Sequence, residues 1–176
     1  MVSSDPNSTA GVMRRWAWVC YCALFVVVVA LDQWTKLLAL RSFQPGETRP
    51  VIEGFFNLTL AFNKGVAFGL FADLADGVRH VLLGVTAALA IGAVIYFFVR
   101  EYAHDWVGRT ALVLVFGGAV GNIIDRVRLG MVVDFFDFYL GQYHYPAFNI
   151  ADSAICVGVV VLIFRRPASP PGSEAE

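Results

Sequence analysis

Asp32, Asp125, Asp134, Asp137 and Asp152 all stand at or near the same set of ends of long apolar runs. A charged side chain inside hydrocarbon costs about 2.5–3.5 kcal/mol or more, so Asp152, a few residues into the last apolar run, calls for a reason. Asn149 and Ser153 make the entrance to that run polar as well. Two carboxylates held about 3 Å apart cannot both ionise; sharing one proton, one can activate a water while the other protonates a leaving group. That chemistry needs no cofactor, and residue types alone leave open which acid does which. Other hydrolytic equipment is missing: there is no HExxH and no GxSxG, and His80, His104 and His144 fall in different segments.

Spacing alone does not settle which aspartates form the pair. Asp125 competes with Asp134 as the partner of Asp152, and its bland alternative is an ion pair with Arg126 or Lys36 that holds helix ends together. For Asp134 and Asp152 the bland alternative is pairing with Arg126 or Arg128. Asp137, in a Phe-Phe-Asp-Phe run, reads as an interface residue beside aromatics that favour the headgroup layer, and His144 as a surface loop residue. Asn63 and Asn122 also fit turn and helix-packing roles. Two rival chemistries remain open here. One is a proton-coupled carrier, which wants acids near the bilayer midplane and repeated or broken helices; the acids cluster at one edge, and no repeat is visible. The other is a zinc hydrolase built from His144, Asp134, Asp137 and Asp152, which a chelator would inactivate.

The elements that must carry these residues are set by composition. Of 176 residues 58% are hydrophobic and 15% charged, with a mean hydropathy of +0.66, against an apolar share of roughly 45–50% in soluble domains. A formal net charge of −1 offers no basic field for nucleic acid. Four apolar runs are expected to span a bilayer, over residues 16–40, 78–99, 106–124 and 148–164, each near the roughly 20 helical residues a hydrocarbon core takes. The first continues into Asp32 rather than ending in a small-residue cleavage site, so it reads as a retained span. Arg14 with Arg15 and Arg165 with Arg166 flank the outermost spans, which places both termini in the cytoplasm. Lys36, Arg41, Arg49, Lys64, Arg79, Arg126 and Arg128 fall on the opposite side and weaken that count.

Two outer segments follow, 41–77 and 126–147. In the first, Phe56, Leu58, Leu60 and Phe62 alternate with Asn57, Thr59, Ala61 and Asn63, the period of a strand with one apolar face. Gly65 and Gly69 bracket a turn where backbone can approach a ligand closely. The domain reading is a disordered lead over 1–12, one membrane domain over 13–166 and a disordered cytoplasmic tail over 167–176. Cys20, Cys22 and Cys156 read as packing residues.

Asp32-Gln33-Trp34-Thr35-Lys36, Asn63 to Gly69, Gly117 to Arg126, Val132-Val133-Asp134-Phe135 and Phe148 to Ser153 together resemble the ordered motif set of bacterial lipoprotein signal peptidase, signal peptidase II. The resemblance runs from the first span to the fourth and covers most of the chain. It implies a four-transmembrane-helix bundle with a small extracytoplasmic β-cradle, in a bacterial cytoplasmic (inner) membrane. The implied activity is that of an aspartic endopeptidase that removes signal peptides from prolipoproteins, cutting before a diacylglyceryl-modified cysteine. Its catalytic pair falls on Asp134 and Asp152, with supporting roles for Asp32, Lys36, Asn63, Gly118, Asn122, Arg126, Asn149 and Ala151. Asp125 is taken as supporting on its position. No metal or cofactor is expected; the partners are the lipidated substrate and membrane lipid, and a monomer is the default. Lys64, Val66 and Phe62 depart from residues common in the family and bear only on fine substrate preference.

Overall fold

The computed structural model describes residues 9–65, 76–102 and 105–165. Its elements run α1 (Thr9–Ser42), β1 (Thr48–Ile52), β2 (Phe56–Asn63), α2 (Asp76–Val99), α3 (Trp106–Leu129), β3 (Val132–Leu140), β4 (Tyr143–His144) and α4 (Ile150–Phe164). α3 lies against α4, α1 and α2, and the strands gather beside one end of this bundle. The apolar helices expose much of their surface: Trp16, Val26, Val27, Leu89, Ile95 and Phe164 are all open to the surroundings. That is the reverse of a soluble bundle and suits a hydrocarbon solvent.

Among the described residues, two helices are long and apolar enough to cross a membrane, Gly11–Ser42 and Trp106–Leu129. At 1.5 Å per residue α1 is about 51 Å long, well beyond a core of roughly 30 Å, whereas α4 reaches only about 22 Å. Boundaries differ from expectation in the same direction at three places. α1 begins by Thr9, inside the stretch expected to be a disordered lead. α3 runs on to Leu129, through the start of the expected outer segment, because Gly130 in the left-handed region (φ 72°) supplies the stop three residues after Val127. α2 begins at Asp76, at the end of the other outer segment. The glycine turn expected around residues 65–69 lies outside the described residues beyond Gly65.

The sheet is antiparallel in the order β1-β2-β3-β4. β2 pairs with β3 so that Asn57 faces Asp137 and Ala61 faces Asp134, with an irregularity between Leu58 and Ala61. The expected strand is present over Phe56–Asn63, but its single apolar face is not. Past the irregularity Leu60 is buried against Ala39, Val133 and Phe135, while Phe62 is 37% exposed. Asn57 and Thr59 are buried on the other side because each finds partners: Asn57 donates to Asp137, and Thr59 donates to the Glu47 carbonyl. A buried polar group is tolerated on those terms. The Leu60 cluster wedges the end of α1 against the sheet and so fixes where β3 lies relative to the helix ends.

Candidate active site

Three helix termini and one strand converge. Gly130 reverses the chain after α3, so Val132, Val133 and Asp134 run back past the last turn of that helix; Val133 N–H donates to Asp125 Oδ2 at 3.1 Å. α4 opens on Asn149, whose side-chain oxygen accepts from Asp152 N–H at 3.0 Å, while Asp152 Oδ2 accepts from Asn149 N–H at 3.3 Å. This reciprocal cap satisfies two of the N–H groups that a helix start leaves unpaired.

Capping leaves the Asn149 NH2 group pointing the other way. It donates to Asp134 Oδ1 at 2.7 Å, to the Val133 carbonyl at 3.2 Å and to Asn122 Oδ1 at 3.3 Å. A single fully buried residue therefore donates to both carboxylates, to Asp134 from its side-chain amide and to Asp152 from its backbone N–H. Asn122 Nδ2 donates to Asp152 Oδ1 at 2.7 Å, and Asn63 adds a hydrogen bond to Asp134. Burial, followed by the neighbouring Asp152 charge, pushes the Asp134 carboxyl up to about 7, against the opposing pull of Asn63, Asn149 and Lys36.

Behind the two aspartates lies a network that is almost entirely shielded. Lys36 Nζ donates to Asp32 Oδ2, Asp125 Oδ2 and Asn122 Oδ1, each at 2.9 Å, which uses all three of its protons. Asp32 Oδ1 accepts from Ala151 N–H at 2.9 Å, so α1 holds the first turn of α4 as well. The helices can come this close because α3 carries glycine where they meet. A Cβ on Gly118 would strike the Ala151 carbonyl oxygen, and one on Gly121 would lie 2.5 Å from Asp32 Oδ2. Arg126 donates to the Asn122 carbonyl at 3.3 Å, and its Nε is buried with no partner.

Every supporting residue expected from sequence lies in this cluster: Asp32, Lys36, Asn63, Gly118, Asn122, Asp125, Arg126, Asn149 and Ala151. Asp125 pairs with Lys36, one of the two cations expected for it, and not with Arg126. Arg128 does not pair with the aspartates either; it donates to Gln33 Oε1 at 3.2 Å. Gln33 itself was missed. Its amide donates to Asp32, the Gly121 carbonyl and Asp125, at 3.2, 3.1 and 3.0 Å. Its place directly after Asp32 in the first motif was the available signal, but two of its partners lie 88 and 92 residues away.

Asp137 corrects the expectation of an interface residue. It is 7% exposed and accepts from Asn57 Nδ2, with His144 Nδ1 on its other oxygen, both at 2.8 Å. His144 is half exposed but belongs to β4, stacked on Tyr139, rather than to a free loop. Among the described residues no group of three or more His, Cys, Asp or Glu side chains is arranged to hold a metal ion.

Paired acids anchored by amides at the mouth of an apolar helix bundle, beside a small sheet, define a membrane hydrolase of the aspartic type. The family model described as "Signal peptidase (SPase) II" matches residues 24–166. A lipoprotein signal peptidase of Desulforapulum autotrophicum is 46% identical over 153 residues, covering 87% of this chain and 94% of its own. One from Syntrophotalea carbinolica is 49% identical over 141 residues, covering 80% and 86%. A solved structure titled as a bacterial membrane enzyme superposes with a TM-score of 0.73 at 35% identity, over 82% of this chain and 90% of the other.

The chain belongs to the signal peptidase II family, and its activity is that of a membrane aspartic protease that cleaves signal peptides from lipoproteins. The carrier and zinc-hydrolase readings are thereby set aside.

Proposed function

We propose that Asp134 and Asp152 are the catalytic pair and that the bond cut precedes a cysteine already carrying diacylglycerol. The reading rests on one observation: Asn149 caps α4 and holds both carboxylates, Asp134 through its side-chain amide and Asp152 through its backbone N–H. One carboxylate takes a proton from a water that attacks the scissile carbonyl carbon; the other gives a proton to the carbonyl oxygen and later recovers it. Asp32, Lys36 and Asp125 hold the helix ends, Asn122 and Asn149 orient the pair, Gly118 and Ala151 allow α3 and α4 their close approach, and Asn63 steadies Asp134. Arg126, with a buried Nε unpaired, meets a carbonyl of the substrate backbone.

All four helices cross a bacterial cytoplasmic membrane in this reading, with both termini in the cytoplasm and the pair at the outer face. The arginine pairs Arg14 with Arg15 and Arg165 with Arg166 support it, and α4 crosses despite its length because its charged ends lie at the interfaces. Membrane lipid surrounds a monomer. Cleavage of a diacylglyceryl-modified prolipoprotein by the purified protein, in detergent with chelator, is the test. Cutting of the lipidated precursor and not of the unmodified one is expected. Equal cutting of both removes the lipid requirement, and normal cutting by Asp134→Asn or Asp152→Asn removes the residue assignment.

A further inference from the structure

The two aspartates receive different donors. Asp152 stands in the first turn of α4, where unpaired helix N–H groups concentrate partial positive charge. Each of its oxygens accepts a hydrogen bond, Oδ1 from Asn122 and Oδ2 from the Asn149 backbone. The Asn122 amide has no freedom to turn. Lys36 can only donate, and at 2.9 Å it demands the oxygen of Asn122, which leaves the NH2 group for Asp152. The guanidinium of Arg126, on the facing helix, lies within electrostatic reach of Asp152, Asp134 and Asp125.

Asp134 sits on a strand, away from any helix terminus, and is 2% exposed. Its donors are the neutral amides of Asn149 and Asn63. The charged groups around it are Asp152 on α4, Lys36 on α1 and Arg126 on α3. Lys36 is committed to Asp32 and Asp125, and among the described residues no cation forms an ion pair with Asp134. An anion is therefore served well at Asp152 and poorly at Asp134.

We propose that Asp134 carries the shared proton in the resting enzyme and that Asp152 is the carboxylate that deprotonates the attacking water, with Lys36 and Asn122 as positioning residues for it. This rests on the pair itself being catalytic. The water oxygen forms a bond to the scissile carbonyl carbon and its proton passes to Asp152. The carbonyl π pair moves to oxygen, which takes the proton of Asp134. In collapse the C–N bond breaks with its electron pair on nitrogen, which accepts the proton from Asp152, while the oxygen returns its proton to Asp134. One water is consumed and both carboxyls regain their starting states.

Infrared difference spectra of the full-length wild type, Asp134→Asn and Asp152→Asn, titrated between about pH 5 and pH 9 alongside cleavage assays, test the assignment. The protonated-carboxyl C=O band present near pH 6 is expected to vanish in Asp134→Asn and to persist, titrating lower, in Asp152→Asn. The reverse pattern, with both variants inactive, overturns the proton assignment and leaves the pair intact. Normal cutting by either variant instead sinks the catalytic pair itself. For the positioning role, Asn122→Ala is expected to move the acidic limb of the kcat/KM profile up by about one pH unit, a roughly tenfold loss below it, with the basic limb in place. A uniform loss at every pH, or a shift of the basic limb alone, overturns it.

Discussion

Asp105 and Asp134 each have only 2% of their surface exposed, but Asp134 lies deeper in the protein, and their surroundings push them in opposite directions. Asp105 caps α3, accepting from Val107 N–H at 3.0 Å, and takes two hydrogen bonds from Arg165 at 2.7 and 3.1 Å. The Arg165 guanidinium holds the Asp105 carboxyl below its ordinary range. Asp134 has no cation hydrogen-bonded to it among the described residues, and burial, followed by the neighbouring Asp152 charge, raises it. One aspartate is a strut that ties the start of α3 to the end of α4. The other is kept where its proton is exchangeable near neutral pH, the condition acid–base chemistry asks for. Low exposure alone therefore does not make an acid reactive; its depth and the charge and polarity of its donors decide.

The sharpest break in that comparison comes from the acids themselves. Asp134→Asn and Asp152→Asn are each expected to lower kcat by on the order of 10³-fold or more while the protein stays folded, whereas Asp105→Asn leaves kcat within about twofold of wild type. Assays of the three proteins side by side check this. Lys36→Met is next. It strands Asp32 and Asp125 without their cation, and loss of one partner from a buried ion pair costs about 3–5 kcal/mol, read as a lowered thermal midpoint in detergent.

The raised Asp134 carboxyl gives a third test, this time of stability. Because the folded state holds this proton more tightly than the unfolded chain, folding is favoured by protonation. Stability contributed here is full below about pH 4, declines as the pH rises to about 7, and is gone above that. Asp134→Asn removes the dependence, so its unfolding free energy relative to wild type is expected to be greater at pH 8 than at pH 4, by on the order of 4 kcal/mol. A pH-independent difference contradicts it. The smallest effect belongs to Asp105→Ala, which removes the α3 cap together with the half-exposed Arg165 pair and costs about 1–2 kcal/mol; denaturation at pH 7 measures it.

Residues with a local signature were legible in advance. The alternation over 56–63 marks β2, whereas Asn149 reads from sequence only as a polar residue at the entrance of the last span, and its reciprocal cap with Asp152 came from the structure. Asp134 and Asp152 were readable together only through the order of several motifs, since no periodicity links a strand position to a helix start. Gln33 and the Asp137–His144 contact were not legible. Gln33 earns its place from Gly121 and Asp125 on α3, and Asp137 from Asn57 across the sheet register and His144 across a turn. The burial of Asn57 and Thr59 was hidden for the same reason, because an irregularity in the β2–β3 register redirects the strand where sequence shows unbroken alternation.

Composition alone pointed to hydrocarbon around these helices, because a chain 58% hydrophobic and 15% charged carries more apolar surface than a soluble fold of this size holds. The ordered motifs determined the family and with it the chemistry class, and supplied Asp134 and Asp152 as the acids proposed for it. Only the tertiary structure decided that Lys36 spends its protons on Asp32, Asp125 and Asn122, and so which end of the Asn122 amide faces Asp152. An amide is polar at both ends, and its orientation is set by what lies opposite; here those partners come from α1 and α4, 86 and 30 residues away along the chain.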